Sequence, residues 1–158
     1  MFREMLRIKQ KLSDEECAAL LKNEKRGVLS VLGDDGYPYG MPLNHYYCES
    51  DGKLYFHGGK KGHKIDALNH CDKVSFVCTD GGRQSGEGWW LQFRSVVVFG
   101  RVEFIDDPAF AEEIVRKLTK KFIGDDDYFE QELQEAGNRT LVFALTPEHI
   151  TGKTVNER

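Results

Sequence analysis

Val28-Leu29-Ser30-Val31-Leu32, then Gly33-Asp34-Asp35-Gly36, then Tyr37-Pro38-Tyr39-Gly40-Met41-Pro42-Leu43-Asn44 reads as two strands folded back on each other. The first run is short, apolar and rich in residues that suit a pleated surface, and Asp35-Gly36 is a dipeptide that tight hairpins favour. The second strand extends to Glu49 and carries Pro38 and Pro42. Proline donates nothing to a ladder, so this strand belongs at a sheet edge, at a bulge, or against something other than a neighbouring strand.

Before this hairpin, Ser13-Asp14-Glu15-Glu16 fits a capping box. Cys17, Leu20 and Leu21 follow at helical spacing, Lys22, Lys25 and Arg26 supply positive charge at the far end, and Gly27 reads as the stop. After it, Ser50-Asp51-Gly52 turns into a strand over Lys53 to His57. A glycine-rich basic loop over 58–62 leads to a short helix, His63 to His70, with Ile65 and Leu68 on one face. Strands are expected at Lys73 to Cys78 and, beyond a polar loop over 80–88, at Trp89 to Phe104. Pro108 opens an amphipathic helix carrying Phe110, Ile114, Val115, Leu118 and Phe122. A weaker helix over 128–136 and strands at 140–145 and 149–151 complete the chain. About six strands, several joined by hairpins and not alternating regularly with helices, predict a mainly β protein. The expected architecture is a small antiparallel barrel with helices packed outside, in one domain over 1–158.

Composition narrows the function. Lys+Arg number 22 against 26 Asp+Glu, a net charge of −4, which argues against a general attraction to nucleic acid or to an anionic membrane. The apolar run Ser95–Gly100 is far too short for a membrane span and the first residues lack the apolar stretch of a secretory signal, so the expected location is the cytoplasm. Cys17, Cys48, Cys71 and Cys78 form no CxxC pair and read as buried reduced thiols, with no metal site.

Three segments carry candidate chemistry. In His57-Gly58-Gly59-Lys60-Lys61-Gly62-His63-Lys64, glycines allow close backbone approach, lysines add charge, and the segment opens a helix whose first N–H groups are unpaired. Each property favours an anion, and together they point to a phosphate; a solvated basic loop is the competing reading. The spacing is not a Walker loop, because no Ser or Thr follows the glycine-lysine pair. Over Tyr37 to Tyr47, a strand kinked by Pro38 and Pro42 leaves backbone groups free to meet a flat aromatic ligand, although an edge strand with a bulge explains the same residues. His45 reads as an ordinary strand-face residue. Arg94 and Ser95, within an apolar strand, need polar partners that a phosphate, a polyol or a neighbouring strand would supply, and Trp89-Trp90 reads as core or dimer interface.

The ordered set Tyr-Pro-Tyr…Pro-Leu-Asn (37–44), Leu-Tyr-Phe-His…Gly-His-Lys-Ile-Asp…Leu (54–68), Arg-Ser-Val-Val-Val-Phe-Gly-Arg-Val (94–102) and His-Ile-Thr-Gly-Lys (149–153) resembles the FMN-binding split-barrel family. It is most similar to the pyridoxamine-5′-phosphate-oxidase-like branch that contains the nitroimidazole-resistance (Nim-type) proteins. The resemblance implies a six-stranded antiparallel split barrel and a homodimer with FMN in clefts at the subunit interface. It implies that Met41, Pro42, Leu43 and Asn44 lie against the isoalloxazine ring and that Gly58, Lys60, Lys61, Gly62, His63 and Lys64 hold the phosphate. Gly62-His63-Lys64 stands where the oxidases carry a Ser-Arg-Lys triplet, so only the lysine is retained. Arg94 and Ser95 fall beside the flavin, and His57 falls where Nim-type proteins place a histidine close to it, which makes His57 the candidate proton donor or substrate contact.

The short tail after Ile150 lacks the arginine- and histidine-bearing segment with which the oxidases grip pyridoxal phosphate, so that activity is not expected. The implied function is a reductase passing electrons from reduced FMN to a small electron-poor acceptor, a nitroaromatic or a quinone. The alternatives are a flavin-binding or sensor protein without turnover, and a haem-binding member of the superfamily with His57, His63 or His149 as axial ligand.

Overall fold

Ser13 opens the first helix by reciprocal capping: its Oγ accepts from the Glu16 N–H at 3.2 Å while Glu16 Oε2 accepts from the Ser13 N–H at 2.8 Å. In the computed structural model, which describes residues 1–84, 86–122 and 140–156, this helix, α1, spans Asp14–Asn23 and buries Cys17, Leu20 and Leu21. It ends earlier than its charges suggest, because Glu24 is already extended. Gly27 therefore does not stop it. The glycine lies within strand β1 (Arg26–Leu32), where a Cβ would stand 2.3 Å from the Phe76 ring, so its role is close sheet packing.

Strand β2 (Pro38–Asn44) returns antiparallel to β1, with Leu32 opposite Pro38 and Arg26 opposite Asn44. The reversal is tight: the Tyr37 N–H donates to the Asp34 carbonyl at 3.1 Å, and Asp35 and Gly36 have φ of 56° and 78°. The remaining elements are β3 (Tyr46–Tyr47), β4 (Leu54–Gly59), α2 (His63–His70), β5 (Lys73–Thr79), β6 (Arg83–Gln84), β7 (Leu91–Phe104), α3 (Pro108–Lys120) and β8 (Thr140–Asn156). The sheet order is β2-β1-β5-β7-β8-β4-β3, with β6 added against β7 and every pairing antiparallel. Among the described residues, six strands are long and two have only two residues. The prolines place β2 at a sheet edge, as their chemistry requires. The two ends of the sheet, β2 and β3, are consecutive in the chain, and the sheet curls until β2 and β4 border one cavity. The result is a mainly antiparallel split barrel with three α-helices among the described residues.

The barrel interior is aromatic and branched aliphatic. Leu29, Phe56, Phe76, Val96, Val98, Phe143 and Leu145 are fully buried, and the Phe56 ring sits 5.4 Å from Phe76 and 5.2 Å from Phe143. Helix α3 covers a second cluster in which Ile114 meets Tyr55, Val142 and Ala144. The outer face is less polar than simple alternation would make it. Pro42, Val28, Val77, Val97 and Thr151 stand in register across five strands, and Val28 and Phe99 remain 42% and 40% exposed.

Several expectations change. The long strand over 37–49 is two strands broken at His45. Gly58 and Gly59 are not loop residues; they continue β4 in register with Leu141 and Thr140 of β8. The strand expected from Trp89 begins at Leu91, and Trp89 is 74% exposed in the preceding turn with its ring 4.8 Å from Trp90, so it is not core. The two C-terminal strands and part of the polar tail form the single strand β8, because the Pro147-Glu148 interruption is absorbed as a bulge between Phe99 and Gly100 of β7. Gly100 makes this possible, since a Cβ there would meet the Thr146 carbonyl at 2.1 Å. Cys17, Cys48 and Cys78 are buried and Cys71 is half-buried, none in a disulfide; burial pushes the Cys78 thiol up to about 12. The expected helix over 128–136 lies outside the described residues. Among those described, no helix is long and apolar enough to cross a membrane, and no group of three or more His, Cys, Asp or Glu is arranged to hold a metal.

His45 is not a strand-face residue: it is completely buried and finishes α1. Its Nε2–H donates to the Leu21 carbonyl at 2.7 Å, and the Lys121 ammonium donates to the carbonyls of Glu24 and His45. These bonds satisfy carbonyls that a helix end leaves without partners. The His45 ring packs edge-on to Phe76, and its Nδ1 has no partner among the described residues. Burial first, and the Lys121 charge second, lower its pKa to about 4. Between that value and the ordinary 6.5 the unfolded chain binds the extra proton, so stability is complete above pH 6.5 and falls as pH drops toward 4. The loss expected from this group is on the order of 3 kcal/mol. Urea denaturation from pH 7.5 to 4 checks it: His45→Gln, which keeps a donor for Leu21 without a titrating ring, should flatten that part of the slope.

Candidate functional site

Strand β4 leaves the core as it ends: Leu54, Tyr55 and Phe56 are buried, whereas His57 reaches the surface opposite Val142. Lys60 and Lys61 form an exposed turn, and Gly62 begins α2 with φ 116°, a conformation that suits glycine. Ile65, Ala67 and Leu68 anchor the helix in the core. The Gly62 carbonyl accepts from Ile65 N–H at 2.9 Å and Asp66 N–H at 3.1 Å, but glycine supplies no side-chain cap, so the first helical N–H groups face outward from the helix end.

The cations of this segment part company. Lys60 and Lys61 project into solvent, whereas Lys64 doubles back toward β4. Its Nζ lies 5.6 Å from the Phe143 ring centroid and 2.6 Å from where a Gly58 Cβ would stand. Gly58 therefore matters as the space into which Lys64 folds. Burial lowers the Lys64 pKa, and burial followed by the Lys64 charge lowers that of His57, leaving the imidazole neutral near pH 7. His63 turns the other way, stacking on Tyr39 at 4.3 Å with its Nε2 3.6 Å from Asp34 Oδ2. Its side chain ties α2 to the first hairpin.

Across the split, Pro42, Leu43 and Asn44 of β2 join Arg26 of β1 and His57 of β4 around a cavity of about 280 Å³. Asn44 Oδ1 accepts from Arg26 Nε–H at 2.8 Å. The structure thus unites His57 with Pro42, Leu43 and Asn44, and the turn carrying Gly58 to Lys64 adjoins them. Met41 alternates inward and is buried in the core. Arg94 and Ser95 do not line the cavity. Asp80 receives the Arg94 N–H and Nε–H, both at 2.9 Å, and Ser95 pairs with Thr79 and Lys153. Burial would raise the Asp80 pKa, but the bonds from Arg94 and Gly82 outweigh it and hold the carboxyl low. Of the histidines considered as haem ligands, His57 lines the cavity, His63 stacks on Tyr39 and His149 stacks on Phe2 at 4.7 Å. Arg26 is the lining residue that the motifs do not reveal. Its signal is the hairpin register: counting outward from the Asp-Gly turn sets Arg26 opposite Asn44.

An antiparallel barrel split beside an edge strand, with a basic helix entry at the opening, defines the class as a split-barrel protein. Residues 13–154 match the family model described as pyridoxamine 5'-phosphate oxidase, and the chain belongs to that family. No curated protein matches by sequence. Among solved structures, a candidate 5-nitroimidazole antibiotic resistance protein from Bacteroides thetaiotaomicron VPI-5482 is similar with a TM-score of 0.76 at 20% identity, over 92% of this chain and 87% of that one. The FAD binding protein from Mycobacterium smegmatis gives 0.68 at 21% identity, over 94% and 99%. The FAD and heme binding protein from the same organism gives 0.71 at 25% identity, over 95% and 74%.

The closeness of Lys64 to His57 has a readable consequence. Lys64→Met removes a neighbouring positive charge, so the His57 pKa should rise toward its ordinary value. A pH titration of the imidazole NMR signals measures it; an unmoved His57 would mean that the two groups do not interact.

Proposed function

We propose that the protein is a flavoprotein that holds FMN at the opening of the barrel and passes electrons to a small electron-poor acceptor, a nitroaromatic or a quinone. The observation that carries this reading is the meeting of Pro42-Leu43-Asn44, His57 and the basic entry of α2 around one opening. The residues present fit the group. An edge strand offers unpaired backbone N–H and C=O groups to the rim of a flat ring, and Pro42 with Leu43 gives that ring an apolar wall. The helix entry, without a side-chain cap and flanked by Lys60 and Lys61, suits a phosphate. When bound, the flavin supplies the two-electron redox chemistry. The chain supplies the rest: Lys60, Lys61 and the first N–H groups of α2 anchor the phosphate, Pro42 and Leu43 exclude water, and neutral His57 offers a ring N–H to the acceptor.

The FAD-binding proteins of similar fold support a flavin. FAD shares the ring and first phosphate of FMN, and the cofactor released on denaturation tells the two apart. The same reading makes the molecule a homodimer with flavin between the copies. The outward apolar row through Val28, Val77 and Val97 is the surface a second copy would cover.

The purified protein should be yellow, release FMN, and be bleached by dithionite and recoloured by a nitroaromatic or quinone. A preparation that stays colourless with added FMN would sink the proposal; one whose flavin no nicotinamide or ferredoxin donor reduces faster than free FMN is a binding protein without turnover. The phosphate anchor has its own measurement, fluorescence titration with FMN and with riboflavin, which lacks the phosphate. Reversing both Lys60 and Lys61 to Glu should weaken FMN binding about 10- to 100-fold and leave riboflavin within about twofold, since two solvent-exposed lysines together contribute about 1.4–2.7 kcal/mol. For the dimer, Val28→Glu should halve the mass seen in sedimentation; wild-type protein that sediments as a monomer rejects the interface.

A further inference from the structure

We propose that the cavity between Arg26 and His57 is a carboxylate subsite, and that the molecule it admits is a small planar organic acid. Arg26 begins β1 directly opposite Asn44, and its Nε–H donates to Asn44 Oδ1 at 2.8 Å. That bond uses one of the five guanidinium donors and restrains the plane of the group. The two terminal nitrogens keep the fork that matches the two oxygens of a carboxylate.

The partner at position 44 is what makes the site. Asparagine holds the guanidinium in place without neutralising it, as an aspartate would. Arg94, Arg101 and Arg116 are each paired with a carboxylate, whereas Arg26, like Arg3, Arg7 and Arg83, has no ion pair among the described residues; of these four, Arg26 alone lines the cavity. The other lining residues are Pro42, Leu43, Asn44 and His57, so none of the described acids borders the cavity. The nearest further charge acting on His57 is the Lys64 ammonium, again positive. An entering anion meets the Arg26 guanidinium and the His57 imidazole at the polar end of the cavity, beside the Pro42 and Leu43 wall assigned above to the flavin ring, and no competing negative group among the described residues. The volume, about 280 Å³, lies just under the range of roughly 300–1,000 Å³ usual for ligand pockets, so the acid admitted beside Arg26 is a small one.

That this acid is the electron acceptor rests on the flavin reading; that the cavity binds it does not. Calorimetric titration of the protein as purified with benzoate, and with benzamide as its uncharged counterpart, tests the site. Benzoate should bind at least about tenfold more tightly, Arg26→Gln should abolish that preference without changing benzamide, and Arg26→Lys, which keeps charge without the fork, should retain part of it. Equal affinity for the two, binding of neither, or a preference that survives Arg26→Gln overturns the proposal. So does loss of flavin from Arg26→Gln, which would assign the arginine to the cofactor. Flavin absorbance in the same samples separates the two ideas. A colourless protein that prefers benzoate through Arg26 keeps this site and loses the flavin; a yellow protein indifferent to the charge does the reverse.

Discussion

Pro38 and Pro42 lie on a strand that β1 pairs along its whole length, so the missing N–H groups belong to the outer edge of β2. A strand without those donors cannot carry a full ladder on its free side, and the sheet has no ninth neighbour to close onto. The split in the barrel follows from this constraint. So does the location of the cavity, because β2 and β4 approach each other there without pairing and leave room between side chains.

Charge gives the opening its character. The protein is acidic overall, yet the groups gathered at the seam are Arg26, His57 and, behind it, Lys64. Lys64 is partly withdrawn from water and rests on an aromatic face, which leaves its charge less screened than that of Lys60 or Lys61. Burial first and the inner cation second lower the pKa of the imidazole, whereas the outer pair is free to engage a solvent-facing anion. One short segment thereby supplies positive charge of two kinds, and Gly58 separates them by giving the inner lysine somewhere to lie.

Features governed by neighbours along the chain are legible in the sequence. The Ser13 cap, the Asp35-Gly36 reversal, the edge position of β2 and the helix entry at Gly62 each depend on backbone conformation or on bonds within a few residues. What escapes such reading depends on where a long side chain ends up. Lys64 reads as a phosphate ligand from its place at the helix start, but the space beside Gly58 decides its direction. Arg94 reads as a group in need of a ligand, because its partner Asp80 lies across a loop that local pattern does not close. Arg26 reads as a charge at the end of α1, and only the pairing of β1 with β2 brings it to the cavity. Trp89 and Trp90 read as core or dimer interface by type, yet Trp89 is exposed and Trp90 half-buried just before β7, their rings tilted against each other.

The place of β8 in the sheet bears on how the chain reaches its native state. This last strand lies between β7 and β4, so β4 has only the two-residue β3 beside it until the C-terminal segment docks. During synthesis, Leu54, Tyr55 and Phe56 emerge some ninety residues ahead of their lasting partners Leu145, Ala144 and Phe143. The nascent molecule must carry an unmatched, apolar ribbon through most of its translation. Closure of such distant pairs is slow, and the interval is one in which association with other chains, or protection by a chaperone, competes with correct assembly.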